Sequence, residues 1–277
     1  MTSEESDLSL SLQSLRPSPR MPAMFIGHGS PMNAIEDNEW RRSWQSLGLE
    51  FGPRWPVPQL ILCISAHWLT HGWWLTGMER PKTIHDFGGF PAELFAQQYP
   101  VPGAPAAAGE IARFLGAGVD KAEWGLDHGS WSVLKPMFPS AQIPVVQLSL
   151  DWDQPPAGHL AMGRRLRALR ERGVLVVGTG NTVHNLRTMR RDLPSNQAYD
   201  WTVAFDAKVA ECVREGNMDE LARFQSWGEM AQLAHPSHEH YLPLLHAAGA
   251  AQPGEPVRFF NEGYQGASIA MRSIVWG

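Results

Sequence analysis

The chain has few cysteines and none at the spacing of a redox or zinc motif. Only Cys63 and Cys212 occur among 277 residues, and no CxxC sequence is present. This count argues against a disulfide-stabilised secreted fold, and we expect the protein to work in a reducing cytoplasm.

Long apolar runs are also lacking. No stretch approaches the roughly 20 consecutive apolar residues that span a bilayer, which predicts no contact with a membrane. The first 20 residues are rich in serine and lack the continuous apolar core of a signal peptide. We expect residues 1–20 to form a mobile N-terminal lead-in and residues 21–277 to form a single domain.

The chain has no excess of positive charge. Its formal net charge is −5, with 18% charged and 43% hydrophobic residues, values typical of a globular protein that does not bind nucleic acid. One basic cluster lies on a helical pattern, and we interpret it as a solvated helix face. The cluster comprises Arg164, Arg165, Arg167, Arg170 and Arg172.

Short apolar runs alternate with helical patterns along the chain. The runs that predict strands are AMFIG, QLILCISAHW, IPVVQLSL, GVLVVGTGN, PVRFFN and SIAMRSIVW. The helical patterns cover Ala34 to Leu47, Ala104 to Leu115, Pro156 to Arg172, Trp201 to Arg214 and His240 to Ala248. This alternation predicts a layered α/β fold around a mixed or largely parallel sheet.

Three of the 11 histidines lie at or just after the ends of predicted strands. His28 follows the first strand between two glycines, His67 ends the second, and His184 follows the fourth. Ligand sites of open α/β sheets form at the carboxyl ends of the strands, so these side chains are expected to converge.

Two further histidines are candidates for the same site. His240, in HPSHEHYLPLL, borders an apolar run and is expected to point inward, while His238 is expected to face outward. His128, in GLDHGSW, is expected to be an exposed histidine beside a glycine. The others have weaker claims as site residues and are His71, His85, His159 and His246.

These histidines leave several chemistries open. Neutral imidazoles bind zinc, ferrous iron, copper or nickel, although no local motif such as HExxH is present. A Ser-His-Asp hydrolase is disfavoured because no GxSxG elbow occurs, and Ser65 lies within a strand. The glycines of GTGNTVHN could instead cradle a phosphate, but the P-loop lysine is missing.

Six ordered motifs carry a resemblance to a known family. GHGSPMNAIEDN, ISAHW, TIHDFGGFP, WGLDHGSW, GTGNTVHNLR and EHYLPLL together resemble the DODA-type extradiol ring-opening dioxygenases of the class III, LigB-like superfamily. The resemblance is closest to the bacterial 4,5-DOPA dioxygenase-like group and spans Pro22 to Trp276. It implies a three-layer α/β/α catalytic domain around a mixed sheet.

The resemblance also implies a mononuclear metal site. Carried over by position, His28, His67 and His240 would be the metal ligands, with Fe(II) expected for activity and Zn(II) able to occupy the site. Glu239 is adjacent to His240, and other branches of the superfamily use a glutamate as third ligand. His184 would be either the acid/base group or a fourth ligand.

The implied reaction opens a catechol ring with O₂ beside the diol and gives a semialdehyde acid. His184 is the candidate base, and His128 is the candidate for steering oxygen or the oxygenated intermediate. The motifs do not choose between DOPA, caffeate or another diol, and the oligomeric state has no signature in the sequence. A zinc-dependent hydrolase and a non-catalytic metal-binding protein remain as alternatives.

Overall fold

A mixed sheet of eight strands forms the centre of the computed structural model, which describes residues 12–277. In chain order the strands are β1 (Ala23–Gly27), β2 (Leu60–Thr70), β3 (Trp74–Thr76), β4 (Gly118–Asp120), β5 (Val145–Asp151), β6 (Val174–Gly180), β7 (Val257–Phe260), β8 (Tyr264–Gln265), β9 (Ile269–Ala270) and β10 (Ser273–Trp276). The sheet order is β4-β3-β5-β2-β6-β1-β10-β7, and β8 and β9 form a separate antiparallel pair.

Nine α-helices connect these strands within the described residues. They are α1 (Glu39–Gly48), α2 (Ala92–Phe95), α3 (Pro105–Leu115), α4 (His128–Met137), α5 (Pro156–Leu166), α6 (Asp200–Arg214), α7 (Met218–Leu221), α8 (Glu229–Ala234) and α9 (Leu242–Ala250). Short 3₁₀ helices cover Pro31–Ala34, Arg167–Arg172, Leu186–Thr188 and Phe224–Trp227. None of the helices in the described part of the chain is long and apolar enough to span a bilayer.

Both faces of the sheet are buried. Along β2, Leu62 belongs to the apolar cluster on one face and Cys63 to the cluster on the other, as expected for side chains that alternate along a strand. Helices α3, α5, α6 and α9 contribute to the first cluster, and α1 and α4 contribute to the second. The predicted three-layer α/β/α fold is therefore confirmed, and its continuous apolar strands are explained by burial on both faces.

The parallel pairing of β1, β6 and β2 aligns their carboxyl ends. Gly27 at the end of β1 is paired with Gly180 at the end of β6, and Ser65 of β2 is paired with Thr179 of β6. Residues that follow these positions therefore emerge at one edge of the sheet. This edge carries the histidines that the sequence singles out.

Several element boundaries differ from the sequence prediction. The helix expected from Ala34 begins at Glu39, because the Asn38 side chain caps it by accepting a hydrogen bond from the Arg41 N–H at 3.0 Å. The predicted strand SIAMRSIVW is divided into β9 and β10. His67 does not end its strand: β2 continues to Thr70, and its pairing with β5 is interrupted between Ile64 and Leu69.

The N-terminal segment and the basic cluster also differ from expectation. Within residues 12–20, expected to be part of a mobile lead-in, Leu12 and Leu15 are buried in the core; residues 1–11 lie outside the described part. The single-domain assignment stays a prediction. Arg170 is not solvated, because it is fully buried and forms two hydrogen bonds with the Glu255 carboxylate at 2.7 and 2.8 Å.

Candidate metal centre

Three histidine side chains meet at the carboxyl edge of the sheet. One ring nitrogen from each of His28, His67 and His240 lies within 4.8 Å of the others, and the Nε2 atoms of His28 and His67 are 3.3 Å apart. His28 directly follows β1, and its backbone N–H donates to the Gly180 carbonyl at 3.0 Å. His67 lies within β2 where pairing with β5 is interrupted, and His240 lies just before α9.

Gly180 makes room for the third histidine. A Cβ atom at this position would lie 2.1 Å from the His240 carbonyl oxygen, so only glycine permits this approach. The same carbonyl accepts a hydrogen bond from the Asn181 N–H at 2.9 Å. The glycines of GTGNTVHN therefore have a packing role in the structure, in contrast to the phosphate-cradling role considered for them.

Carboxylates fix the orientation of the neighbouring imidazoles. Glu239 Oε1 lies 3.1 Å from His240 Nδ1, which leaves His240 Nε2 free for a ligand. Asp86 Oδ1 accepts hydrogen bonds from the His128 backbone N–H at 2.9 Å and from the His128 ring Nδ1 at 3.0 Å. The other Asp86 oxygen lies 3.5 Å from His67 Nδ1.

Burial determines the protonation of the site. It lowers the pKa of His28, His67 and His240 well below the ordinary histidine value, and the neighbouring imidazoles lower it further. Burial acts to raise the pKa of Asp86, but its contacts with His128 and His67 outweigh this effect and lower the value to about 2. At neutral pH these three imidazoles are therefore uncharged, and the Asp86 carboxylate is ionised.

The donor set fits a metal ion. Neutral imidazole is the form that binds metals, and nitrogen ligands at about 2.0–2.1 Å from a tetrahedral ion lie roughly 3.4 Å from each other. The 3.3 Å between the Nε2 atoms of His28 and His67 matches this spacing. His28 Nδ1 is buried without a hydrogen-bond partner among the described residues. No hydrogen bond at this nitrogen therefore turns the ring away from the cluster.

His184 and His128 flank the three clustered rings on different sides. The His184 ring is stacked on the His240 ring at 3.5 Å with an interplanar angle of 3°, and its backbone N–H donates to the Ala234 carbonyl. Burial lowers the pKa of His184 to about 4, so this ring is also uncharged at neutral pH. The His128 ring lies 3.9 Å from the His67 ring. The expected exposed position of His128 is wrong, because this residue is the buried first residue of α4.

A buried polar network that the sequence analysis did not single out holds β2 against α4. Ser65 Oγ donates to Asp127 Oδ1 at 2.6 Å and accepts a hydrogen bond from the His67 N–H at 3.2 Å. Gln147 Nε2 donates to the other Asp127 oxygen. Because Asp127 also caps α4, the network fixes the relative positions of His67 and His128.

Five of the six remaining histidines have their contacts elsewhere, as follows. His238 lies against Phe224 and within 3.0 Å of the Gln225 amide nitrogen, so it faces away from the cluster. His71 is exposed beside Asp153, and His85 contacts the Gln97 carbonyl at 2.9 Å. The buried rings of His159 and His246 contact each other and Trp73.

A cavity of about 890 Å³ opens onto the histidine cluster. Its wall includes all five clustered histidines together with apolar side chains. The apolar residues that line it include Phe87, Phe90, Leu186, Met189, Leu193 and Ile269. Such a cavity, apolar with a few convergent polar groups, is typical of a small-molecule site.

Comparison with known families decides the assignment. Residues 22–270 match the family described as the catalytic LigB subunit of aromatic ring-opening dioxygenase. The chain belongs to the LigB family. The resemblance found in the sequence motifs is thereby confirmed, and the chain is a ring-opening dioxygenase of the extradiol type.

LigB-family relatives match the chain over nearly its whole length. The chain is 46% identical to the 4,5-DOPA dioxygenase extradiol of Escherichia coli (strain K12), covering 94% of this chain and 96% of that protein. It is 34% identical to the enzyme of the same name from Beta vulgaris, covering 90% and 94%. A crystal structure of an uncharacterized protein from Escherichia coli K12 is 41% identical, with a TM-score of 0.80 over 93% of this chain and 100% of that chain.

Proposed function

We propose that the protein opens the ring of a catechol amino acid, DOPA or a close analogue, at a mononuclear ferrous site held by His28, His67 and His240. The observation that carries the proposal is the convergence of three neutral imidazoles, within 4.8 Å of one another, on the cavity of a LigB-family chain. The names of the relatives support the choice of substrate. The same three ligands would also accept Zn(II).

A set of three histidine ligands suits the reaction. Ferrous iron held by His28, His67 and His240 would supply Lewis-acid and redox chemistry toward an adjacent diol and O₂. The overall reaction adds one O₂ to the catechol, breaks the ring bond beside the diol, and leaves one new carbonyl as an aldehyde and the other as a carboxylate. An all-histidine set is proposed because Glu239 contacts His240 Nδ1 rather than facing His28 or His67.

The flanking histidines provide proton transfer and positioning. His184 lines the cavity and is uncharged, so its ring can accept the proton that a catechol hydroxyl loses. His184, Glu239 and His240 also place ligand atoms within 4.8 Å of one another, so a role of His184 as a fourth ligand is the alternative. His128, oriented by the contact of its Nδ1 with Asp86, lines the cavity beside His67, where it can steer oxygen.

The free thiols of Cys63 and Cys212 are both buried, which supports a reducing cytoplasm. The zinc hydrolase and the non-catalytic metal-binding protein lose support because the family is one of ring-opening dioxygenases.

Oxygen uptake tests the proposal. Protein loaded anaerobically with Fe(II) is expected to consume one O₂ for each catechol molecule, while protein loaded with Zn(II) consumes none because zinc has no redox chemistry. The measurement uses an oxygen electrode and a panel of catechols that includes DOPA. Absence of O₂ uptake by the Fe(II)-loaded protein with every catechol would contradict the proposal.

A further inference from the structure

The cavity wall contains two charged groups that the chemistry at the metal site does not use. Apart from histidines, its charged lining residues are Glu36, Asp86 and Arg191. Asp86 is committed to His128 and His67. Glu36 and Arg191 remain as one negative and one positive group, available to a ligand.

Arg191 is available because its neighbour forms the local ion pair. Arg190 donates from Nε and Nη2 to the two oxygens of Asp192 at 2.9 and 2.7 Å. The Arg191 guanidinium has no hydrogen-bond or ion-pair partner within residues 12–277, yet it lines the cavity. A guanidinium fork matches a carboxylate with two parallel hydrogen bonds.

Glu36 shows the same arrangement with opposite sign. The neighbouring Asp37 is paired with Arg42 at 2.6 Å on the surface. No cation contacts the Glu36 carboxylate in the part of the chain that the structure describes, and this residue too lines the cavity. Glu36 and Arg191 do not pair with each other, so each charge at the cavity wall is left for a ligand.

One short strand connects the segments that carry these two residues. Gln265 of β8 accepts a hydrogen bond from the Ser30 N–H at 2.9 Å, near the segment that carries Glu36. The adjacent Gly266 carbonyl accepts a hydrogen bond from the Arg190 N–H at 2.8 Å. β8 and the residue after it therefore hold together the two segments that carry Glu36 and Arg191.

From this charge pair we propose that Arg191 binds the carboxylate and Glu36 the ammonium group of the substrate side chain. Together the two contacts would favour the catechol amino acid of the proposed function over a catechol acid or a catechol amine. This inference rests on the proposed ring-opening function, and it adds the residues that determine specificity.

Four catechols distinguish the contact made by Arg191 from the contact made by Glu36. DOPA carries both charges, 3,4-dihydroxyphenylpropionate only the carboxylate, dopamine only the ammonium, and 4-methylcatechol neither. We expect Arg191→Gln to raise KM about tenfold for the two carboxylate-bearing catechols and to leave the other two unchanged. Glu36→Gln should do the same for the two ammonium-bearing catechols. kcat should change little, because these contacts are equal in the ground and transition states.

Matched controls come from the neighbouring ion pairs. Arg190→Gln/Asp192→Asn and Asp37→Asn/Arg42→Gln each remove one of these ion pairs completely, so that no released partner can pair with Arg191 or Glu36, and both double variants should leave all four KM values unchanged. Calorimetric titration of the same catechols without O₂ should give the same ratios of dissociation constants without turnover. Equal effects of Arg191→Gln on all four catechols, or no effect on any, would overturn the inference.

One result would contradict only the roles of Arg191 and Glu36, and a different result would contradict the proposed function. If 4-methylcatechol is opened at the wild-type rate by every variant while selectivity is unchanged, only the roles of Arg191 and Glu36 are wrong. If the Fe(II)-loaded wild type opens no catechol, the proposed function is wrong, and the calorimetric ratios alone decide the binding roles.

Discussion

Replacing His28, His67 or His240 by alanine is expected to remove bound metal and abolish ring opening. Each variant deletes one of three converging ligands, and the loss of affinity should exceed the roughly 10–100-fold that a supporting hydrogen bond contributes. Metal content is measured by mass spectrometry after Fe(II) or Zn(II) loading and desalting. Circular dichroism checks that each variant retains the wild-type secondary structure.

His71→Ala is the matched control for these three variants. His71 is an exposed histidine paired with Asp153, so its removal should leave metal content and turnover unchanged. Full occupancy after His240→Ala would contradict the three-histidine set. Glu239 would then be the alternative ligand, since His238 faces Phe224 and Gln225.

The His184→Gln variant is expected to keep its metal and its affinity for catechol, but its turnover should be slower by about 10²-fold or more. Glutamine preserves polarity and approximate size, but it cannot take the proton that a general base accepts, and such a base contributes about 10²–10⁴-fold. Raising the pH should restore part of the rate, because the catechol then ionises without help. The pH-rate profile, metal content and catechol affinity are measured together.

Variants of His128 and His238 distinguish the role of His184 from the roles of other histidines. His128→Gln should impair a step after substrate binding and show little rescue by high pH, because this residue lies beside His67 rather than over His240. His238→Gln should behave as wild type. If His184→Gln loses its metal, His184 is a ligand, and another group must accept the proton.

The sequence predicted the sheet and the convergence of histidines because both depend on local signals. Apolar runs that end at glycine located β1 and β6 closely, and the parallel order then places His28 and His184 at one edge. His67 was assigned to the right strand but to the wrong place in it. An interruption of pairing with β5 is a property of two strands, and the sequence of β2 alone does not contain it.

The supporting residues depend on contacts between distant segments. Asp86 reaches His128 across 42 positions, and Ser65 reaches Asp127 across 62. Each of these residues is an ordinary polar side chain in its own segment, and only the fold gives it a partner. The same holds for Arg191, because its availability follows from the pairing of Arg190 with Asp192.

Short elements and buried charges escaped prediction for a similar reason. Strands β3 and β4 have three residues each, too few for a periodic pattern. Arg170 resembles its solvated neighbours in sequence, but Glu255 pairs with it in the core. From its composition the basic cluster was predicted to be solvated, but the contact with Glu255 places Arg170 in the core.

The structure of the ring-opened product tests the central claim most directly. Fe(II)-loaded protein is mixed with DOPA and O₂, and the product is analysed by nuclear magnetic resonance, mass spectrometry and absorbance. The account predicts a yellow semialdehyde acid, heavier than the substrate by two oxygen atoms and opened beside the diol. A cis,cis-muconate-type product, opened between the two hydroxyl-bearing carbons, would contradict it, because that cleavage belongs to a different kind of iron site.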